Sequence, residues 1–219
     1  MNYKLLSFLM VISINIFGQD KINSSLKDEL IKVDHNDQKI RKIYFIPTVL
    51  ESKTDSIALS NNIDKHQVKS FLEKEMNKID SINISKIDSI IKEYGYPGND
   101  LVGNNDSSIA WQIIQHSKNP KKYLNLLKQA VDNKQLDFKY YAFTLDKSLV
   151  YDKKPQIYGT QFFQVKLKST DKTELILWPI QDIKNVNKLR RNAGIKSTIK
   201  KYAKDSKVRF KHYTLDDFY

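Results

Sequence analysis

The chain has 219 residues, of which 40% are apolar, 11% aromatic and 28% charged, with six Gly and five Pro. That supplies one compact domain with a short appendage and excludes collagen-like and wholly disordered classes. There is no Cys, so disulfides, thiolate metal sites and Cys nucleophiles are excluded together. The formal net charge is +12, and residues 181–212 hold eleven Lys or Arg against Asp182 and Asp205, a net of +9. Only Arg41, Arg190, Arg191 and Arg209 are Arg. Nucleic acid is therefore a disfavoured partner, because bidentate recognition of phosphate and guanine prefers the guanidinium fork. The basic stretch reads as a solvated face.

At the N-terminus, Lys4 precedes an apolar run from Leu5 to Phe17 that breaks abruptly at Gly18-Gln19-Asp20. This is the pattern of a secretory signal peptide over residues 1–19, too short for a membrane span. It predicts an exported, periplasmic or extracellular protein with no transmembrane segment in its mature part. A single mostly helical domain is expected over 20–206, with an irregular tail over 207–219.

Leu26, Leu30, Val33 and Ile40 lie at helical spacing, so the first helix is placed at Ser25–Ile43. Pro47 and the polar run Glu51–Asn62 are read as a break. A second helix resumes near Asp64, carries Val68, Phe71, Leu72 and Met76 on one face, and runs to Gly95, where a C-cap belongs. Asp106 or Ser107 can cap a short apolar helix through Ile109, Ala110, Trp111, Ile113 and Ile114, ending in Gln115-His116. Asn119-Pro120 starts another with Tyr123, Leu124, Leu127 and Val131 inward. Residues 138–149 form a fourth short helix. After Pro155 the pattern becomes extended, and two runs around a polar turn at Ser169–Lys172 predict an antiparallel β-hairpin. Two helices broken at Gly194 follow Asp182. The fold class is mainly α with a small β-hairpin.

No dinucleotide fingerprint, P-loop, HExxH or GxSxG motif is present, so no cofactor is expected. Of the four histidines, His35 and His66 lie on polar helical stretches and His212 in the basic tail. His116 differs, because it ends an apolar helix and could act as an acid or base if a carboxylate orients it. Asp146 is the partner chosen by elimination. Gln115, Gln156, Tyr158, Thr160 and Gln161 offer neutral hydrogen-bonding groups, and Arg41 or Arg190 could hold an anion. No His or carboxylate stands three or four residues from His116, so no metal site is expected.

Taken together, Asp37-Gln38 with Arg41, Tyr94-Gly95-Tyr96-Pro97, Val102-Gly103, Ala110-Trp111, Gln115-His116, Thr144-Leu145-Asp146-Lys147, Gln156-Ile157-Tyr158-Gly159-Thr160-Gln161-Phe162, Pro179-Ile180, Arg190 and Gly194-Ile195 occur in an order that resembles the bacterial family catalogued as domain of unknown function 6624. The resemblance spans about residues 25–203. Lys147 stands where that family suggests Arg, and Ser117-Lys118 where it suggests Ala-Asp. No activity comes with the resemblance. Two function classes follow from the residues: a non-enzymatic exported module that binds a small ligand, an envelope component or a partner protein around His116, or an envelope or extracellular hydrolase or transferase with His116 as acid/base. Gln115 or His116, Asp146, Gln156 or Gln161, and Arg190 are expected to converge, with the β-hairpin covering the ends of the helices that carry His116 and Asp146. An open concavity at His116, Asp146, Gln161 and Arg190 would favour the enzyme, and their burial without a cavity the binding module.

Overall fold

The computed structural model describes residues 22–219, and the expected leader lies outside the described residues. Nine α-helices and one two-stranded antiparallel sheet occur among them, so the fold is mainly α with a small β-hairpin, as the periodicity indicates. No described helix is long and apolar enough to cross a membrane.

Helix α1 runs Ser24–Phe45, with the Asn23 side chain accepting from Leu26 N–H at its start. Its buried residues are Leu26, Leu30, Val33, Asp37 and Ile40. They step by four and three in alternation, which keeps them on one face, and the fourth of them is a carboxylate.

The segment read as a break is instead helix α2, Pro47–Asn61. Pro47 is at its first turn, where the missing N–H costs nothing and the ring fixes φ. The polar run is helical because Leu50, Ile57 and Ala58 form a narrow stripe that packs with Ile40, Val68 and Leu72. Composition hid that stripe. Helix α3, Val68–Tyr94, ends at Gly95 as expected, and Gly95 N–H donates to Ile91 C=O.

A short helix α4 (Asn99–Val102) leads to α5 (Ile109–His116). Neither expected residue caps α5: the boundary residue is Ser108, without a side-chain bond. Asp106 instead pairs with Lys27, and Ser107 donates to Asn104 C=O. Helices α6 (Leu124–Asp132) and α7 (Phe138–Tyr151) follow, the first preceded by a 3-10 turn at Pro120–Tyr123. Leu30, Val33, Ile87, Ile90, Ile113, Ile114 and Leu127 form the main core. Burying such side chains contributes roughly 1.5–3 kcal/mol each.

Strands β1 (Phe162–Lys166) and β2 (Thr173–Leu177) pair in register Phe162↔Leu177 to Lys166↔Thr173. Val165, Leu167, Ile176 and Trp178 pack with Val150 at the end of α7. Helices α8 (Val186–Asn192) and α9 (Ile199–Asp205) follow. The tail from Lys207 is irregular apart from one 3-10 turn at Leu215–Asp217, but it is docked. Tyr213 is buried against the hairpin, and Phe218 bridges to Leu167.

Candidate functional site

The structure divides the nominated residues between two ionic centres. Helix α7 contributes to both, because consecutive helical residues point about 100° apart. Lys147 faces one centre and Asp146 the other.

The first centre is built on His116, at the C-terminal end of α5. Its partner is Asp37 of α1, not Asp146: His116 Nδ1 lies 3.2 Å from Asp37 Oδ1. Asp37 is fully buried while the His116 side chain is 22% exposed, so the carboxylate is the inner member of the pair. Gln38 Nε2 donates to Asp37 Oδ2 at 2.8 Å, and Arg41 Nε donates to the same oxygen at 2.9 Å. Arg41 Nη2 donates to Asp37 Oδ1 at 3.2 Å and also pairs closely with Asp80 of α3. Lys147 Nζ donates to the backbone carbonyl of Gln115, one residue before the histidine. The Gln115 side chain turns away, donating to Thr144 Oγ1 at 2.6 Å.

Burial pushes the Asp37 carboxyl up, but the bonds from His116 and Arg41 outweigh it and hold Asp37 below the usual carboxylate range. A carboxylate only accepts, so the proton between this pair belongs to Nδ1 of the histidine. Nε2 then faces outward and bonds to no described residue. Burial and the nearby Arg41 charge pull the Lys147 ammonium below the ordinary lysine range, with Asp80 opposing them.

One nitrogen or oxygen from each of Asp37, Asp80 and His116 lies within 4.8 Å of the others, a possible set of metal ligands. The Arg41 guanidinium already bridges both carboxylates, so a cation there would have to displace it. The trio comes from three helices, which local spacing around His116 cannot reveal. Asp37, Asp80 and Lys147 were all missed as site residues. The available signal was Asp37, a charged residue within an otherwise apolar stripe of α1.

The second centre surrounds the bend at Gln156–Gln161. Asp146 is buried, and its two oxygens accept from the backbone N–H groups of Ile157, Tyr158 and Thr160 and from the Thr160 hydroxyl, at 2.7–3.1 Å. Burial raises the Asp146 carboxyl above its usual range, with these donors opposing. Fully buried Arg190 binds the opposite side of the bend. Its Nη1 donates to Tyr158 and Gly159 carbonyls at 2.8 and 3.0 Å, its Nε to Ser197 C=O at 2.8 Å and its Nη2 to Ser197 Oγ at 2.9 Å. The guanidinium carbon lies 4.9 Å from the Tyr202 ring centre. Gln156 Nε2 donates to the carbonyls of Gln161 and Trp178 while its oxygen accepts from Gln161 N–H. The Tyr158 ring packs edge-on against Phe138.

Gly159 closes the bend with φ +66°, a left-handed value that L side chains rarely adopt. A Cβ there would stand 2.5 Å from Ile199 Cδ1 and 2.9 Å from Ile180 Cδ1. Thus Arg41, the Gln115 backbone and His116 gather at one centre, and Asp146, Gln156, Thr160, Gln161, the Tyr158 backbone and Arg190 at the other. The hairpin packs on the end of α7 rather than joining both.

No curated protein and no solved structure matches the chain. The model of a family of unknown function, DUF6624, matches residues 53–207, taking in Asp80, His116, Asp146, Lys147 and Arg190 but starting after Asp37 and Arg41. That match covers more than half of the chain, and the protein belongs to this family.

Proposed function

We propose that the protein is an exported binding module whose ligand contacts His116 and Lys147. One observation carries the reading: buried Asp37 holds Nδ1 of His116 and leaves Nε2 at the surface without a protein partner. Next to it, the Lys147 ammonium uses one N–H on the Gln115 carbonyl and retains two of its three donors. Arg41 shared by Asp37 and Asp80 leaves one negative charge among the three, which the Lys147 ammonium offsets, so the face attracts a ligand through its unused N–H donors and suits a small molecule bearing a carboxylate or phosphate. Export rests on the apolar run Leu5–Phe17.

The test is an NMR titration of the four histidine rings with inorganic phosphate and with acetate. A saturable shift at His116, reduced in Asp37→Asn and missing at His35, His66 and His212, is expected. Shifts of equal size at all four rings would refute a site at His116.

The second reading, a hydrolase or transferase, is favoured by the same carboxylate–imidazole pair, since orientation by a carboxylate is what a general base requires. Its test is turnover of nitrophenyl esters and phosphoesters by the parent and by His116→Gln. Turnover in the parent that is lost in the variant selects catalysis over binding alone.

A further inference from the structure

A groove of about 500 Å³ runs between α1, α2 and α3, and none of its lining residues belongs to either ionic centre. The volume falls in the range of small-ligand sites, about 300–1,000 Å³. Helices α1 and α3 are antiparallel here: Arg41 reaches Met76 and Asp80, while Leu30 and Val33 share a core with Ile87 and Ile90. The order of residues along the two helices therefore gives the groove two unlike ends. Asn36, Lys39, Asn83 and Lys86 line one, and Ile43, Ile57, Phe71 and Leu72 line the other, with Ile40 and Ile79 between.

Asn83 is the observation that asks for a ligand. It is only 3% exposed, and its amide nitrogen is buried with no hydrogen bond to any described residue. Buried amides almost always have partners. Lys39 and Lys86 form no ion pair among the described residues, whereas Glu75 on the same groove has Lys78 at 3.9 Å. The polar end therefore holds an unpaired amide donor and two cations without an ion pair, and the rest of the groove is mostly hydrocarbon, with Asn61 and Glu75 the remaining polar lining residues.

We propose that this groove binds a free alkyl carboxylate, with the carboxylate at Asn83 between Lys39 and Lys86 and the chain lying over Ile79 toward Phe71. An acceptor headgroup satisfies the orphaned Asn83 donor and the lysines, and a single aliphatic chain matches the apolar end.

Calorimetric titration of the full chain with laurate, below the concentration at which it forms micelles, tests this. One-to-one binding is expected, with dodecyltrimethylammonium, the same chain with the opposite charge, binding at least about tenfold more weakly. Asn83→Leu and the charge reversal Lys39→Glu with Lys86→Glu should each weaken laurate at least about tenfold while retaining the parent's helical circular dichroism. Ile79→Trp, which fills the middle of the groove, should abolish binding. Lysophosphatidylcholine binding as tightly as laurate would make the ligand a phospholipid and overturn the proposal. So would equal affinity for the two single-chain probes, laurate binding unchanged in the Asn83 and lysine variants, or no binding to the parent. A dimer of the parent that dissociates on Ile82→Glu would assign the groove to a second copy and overturn it as well.

Discussion

The two ionic centres contain the same kinds of group and differ in what is left over. At Asp146 and Arg190 both carboxylate oxygens and four of the five guanidinium N–H groups are directed at the Gln156–Gln161 bend or at Ser197, and both charges are buried. At His116 the inner members, Asp37, Arg41 and Asp80, bind each other, while His116 Nε2 and two Lys147 donors remain unused. The Asp146–Arg190 centre holds a loop in one conformation. The His116 centre is a preorganised surface, with His116 positioned by a buried carboxylate and Lys147 by the Gln115 carbonyl. A charged side chain is thus informative about function through its unspent bonding capacity rather than through its burial.

The largest effect that can break this contrast lies at Arg190. Arg190→Met removes the partner of three carbonyls at once, and each buried group left unpaired costs about 1–3 kcal/mol. A loss on the order of 3–5 kcal/mol in urea unfolding is expected, among the severest a point change produces. Asp146→Asn should cost about 2–3 kcal/mol, because an amide NH2 would face backbone N–H donors. Both variants should leave the phosphate-dependent shift at His116 unchanged. A loss of that shift in folded Asp146→Asn would join the two centres into one site.

Gly159→Val sharpens the comparison from the backbone side. The left-handed φ alone costs roughly 1–3 kcal/mol for a branched side chain, and the approach to Ile199 and Ile180 adds repulsion unless those side-chain ends move. We expect a loss of about 2–3 kcal/mol by thermal unfolding. A loss below about 0.5 kcal/mol, the range of neutral surface changes, would mean that the bend is free to relax, and the clamp made by Asp146 and Arg190 would then have nothing to hold.

How much of this was legible beforehand depended on whether neighbours in space were neighbours in sequence. The helices with wide apolar stripes, the cap at Gly95 and the hairpin around Ser169–Lys172 follow from periodicity and turn chemistry. Helix α2 did not, since its stripe of Leu50, Ile57 and Ala58 is too narrow to stand out among polar residues. His116 stood out as an ionisable group on an apolar helix, but its partner lies 79 positions away. Elimination among the carboxylates points to Asp146, but it cannot register that the 100° step between Asp146 and Lys147 turns Asp146 toward the other centre. The interruption of the α1 stripe at Asp37 was readable, and it carried the better clue.

A pH series examines the His116 centre without a ligand. The folded Asp37 carboxyl lies below its unfolded value of about 3.9, so the ionised form is favoured by folding. Its contribution is present above that unfolded value and is lost as pH falls through the folded one. Unfolding free energy should therefore decline more steeply below about pH 4 in the parent than in Asp37→Asn. Parallel acid limbs would show that His116 and Arg41 do not stabilise the Asp37 charge.

The smallest effect concerns charges that neither centre uses. Lys201 pairs with Asp205 one turn away, both more than half exposed, and Lys200 stands 6.0 Å from the Phe210 ring centre. Exposed helical pairs of this kind contribute about 0.3–0.5 kcal/mol, because water screens the attraction and two long side chains lose freedom in forming it. Replacing Lys200, Lys201 and Lys204 with Gln should therefore change stability by no more than about 0.5 kcal/mol. It should also leave the His116 titration with phosphate where it was. The control is informative because it removes three positive charges from α9: if the phosphate response depended only on overall positive charge, it would weaken here as much as in Lys147→Gln. A response that drops with Lys147→Gln and survives the triple change ties anion binding to the donors left free beside His116. Equal losses in the two would reduce that binding to the general field of a basic protein.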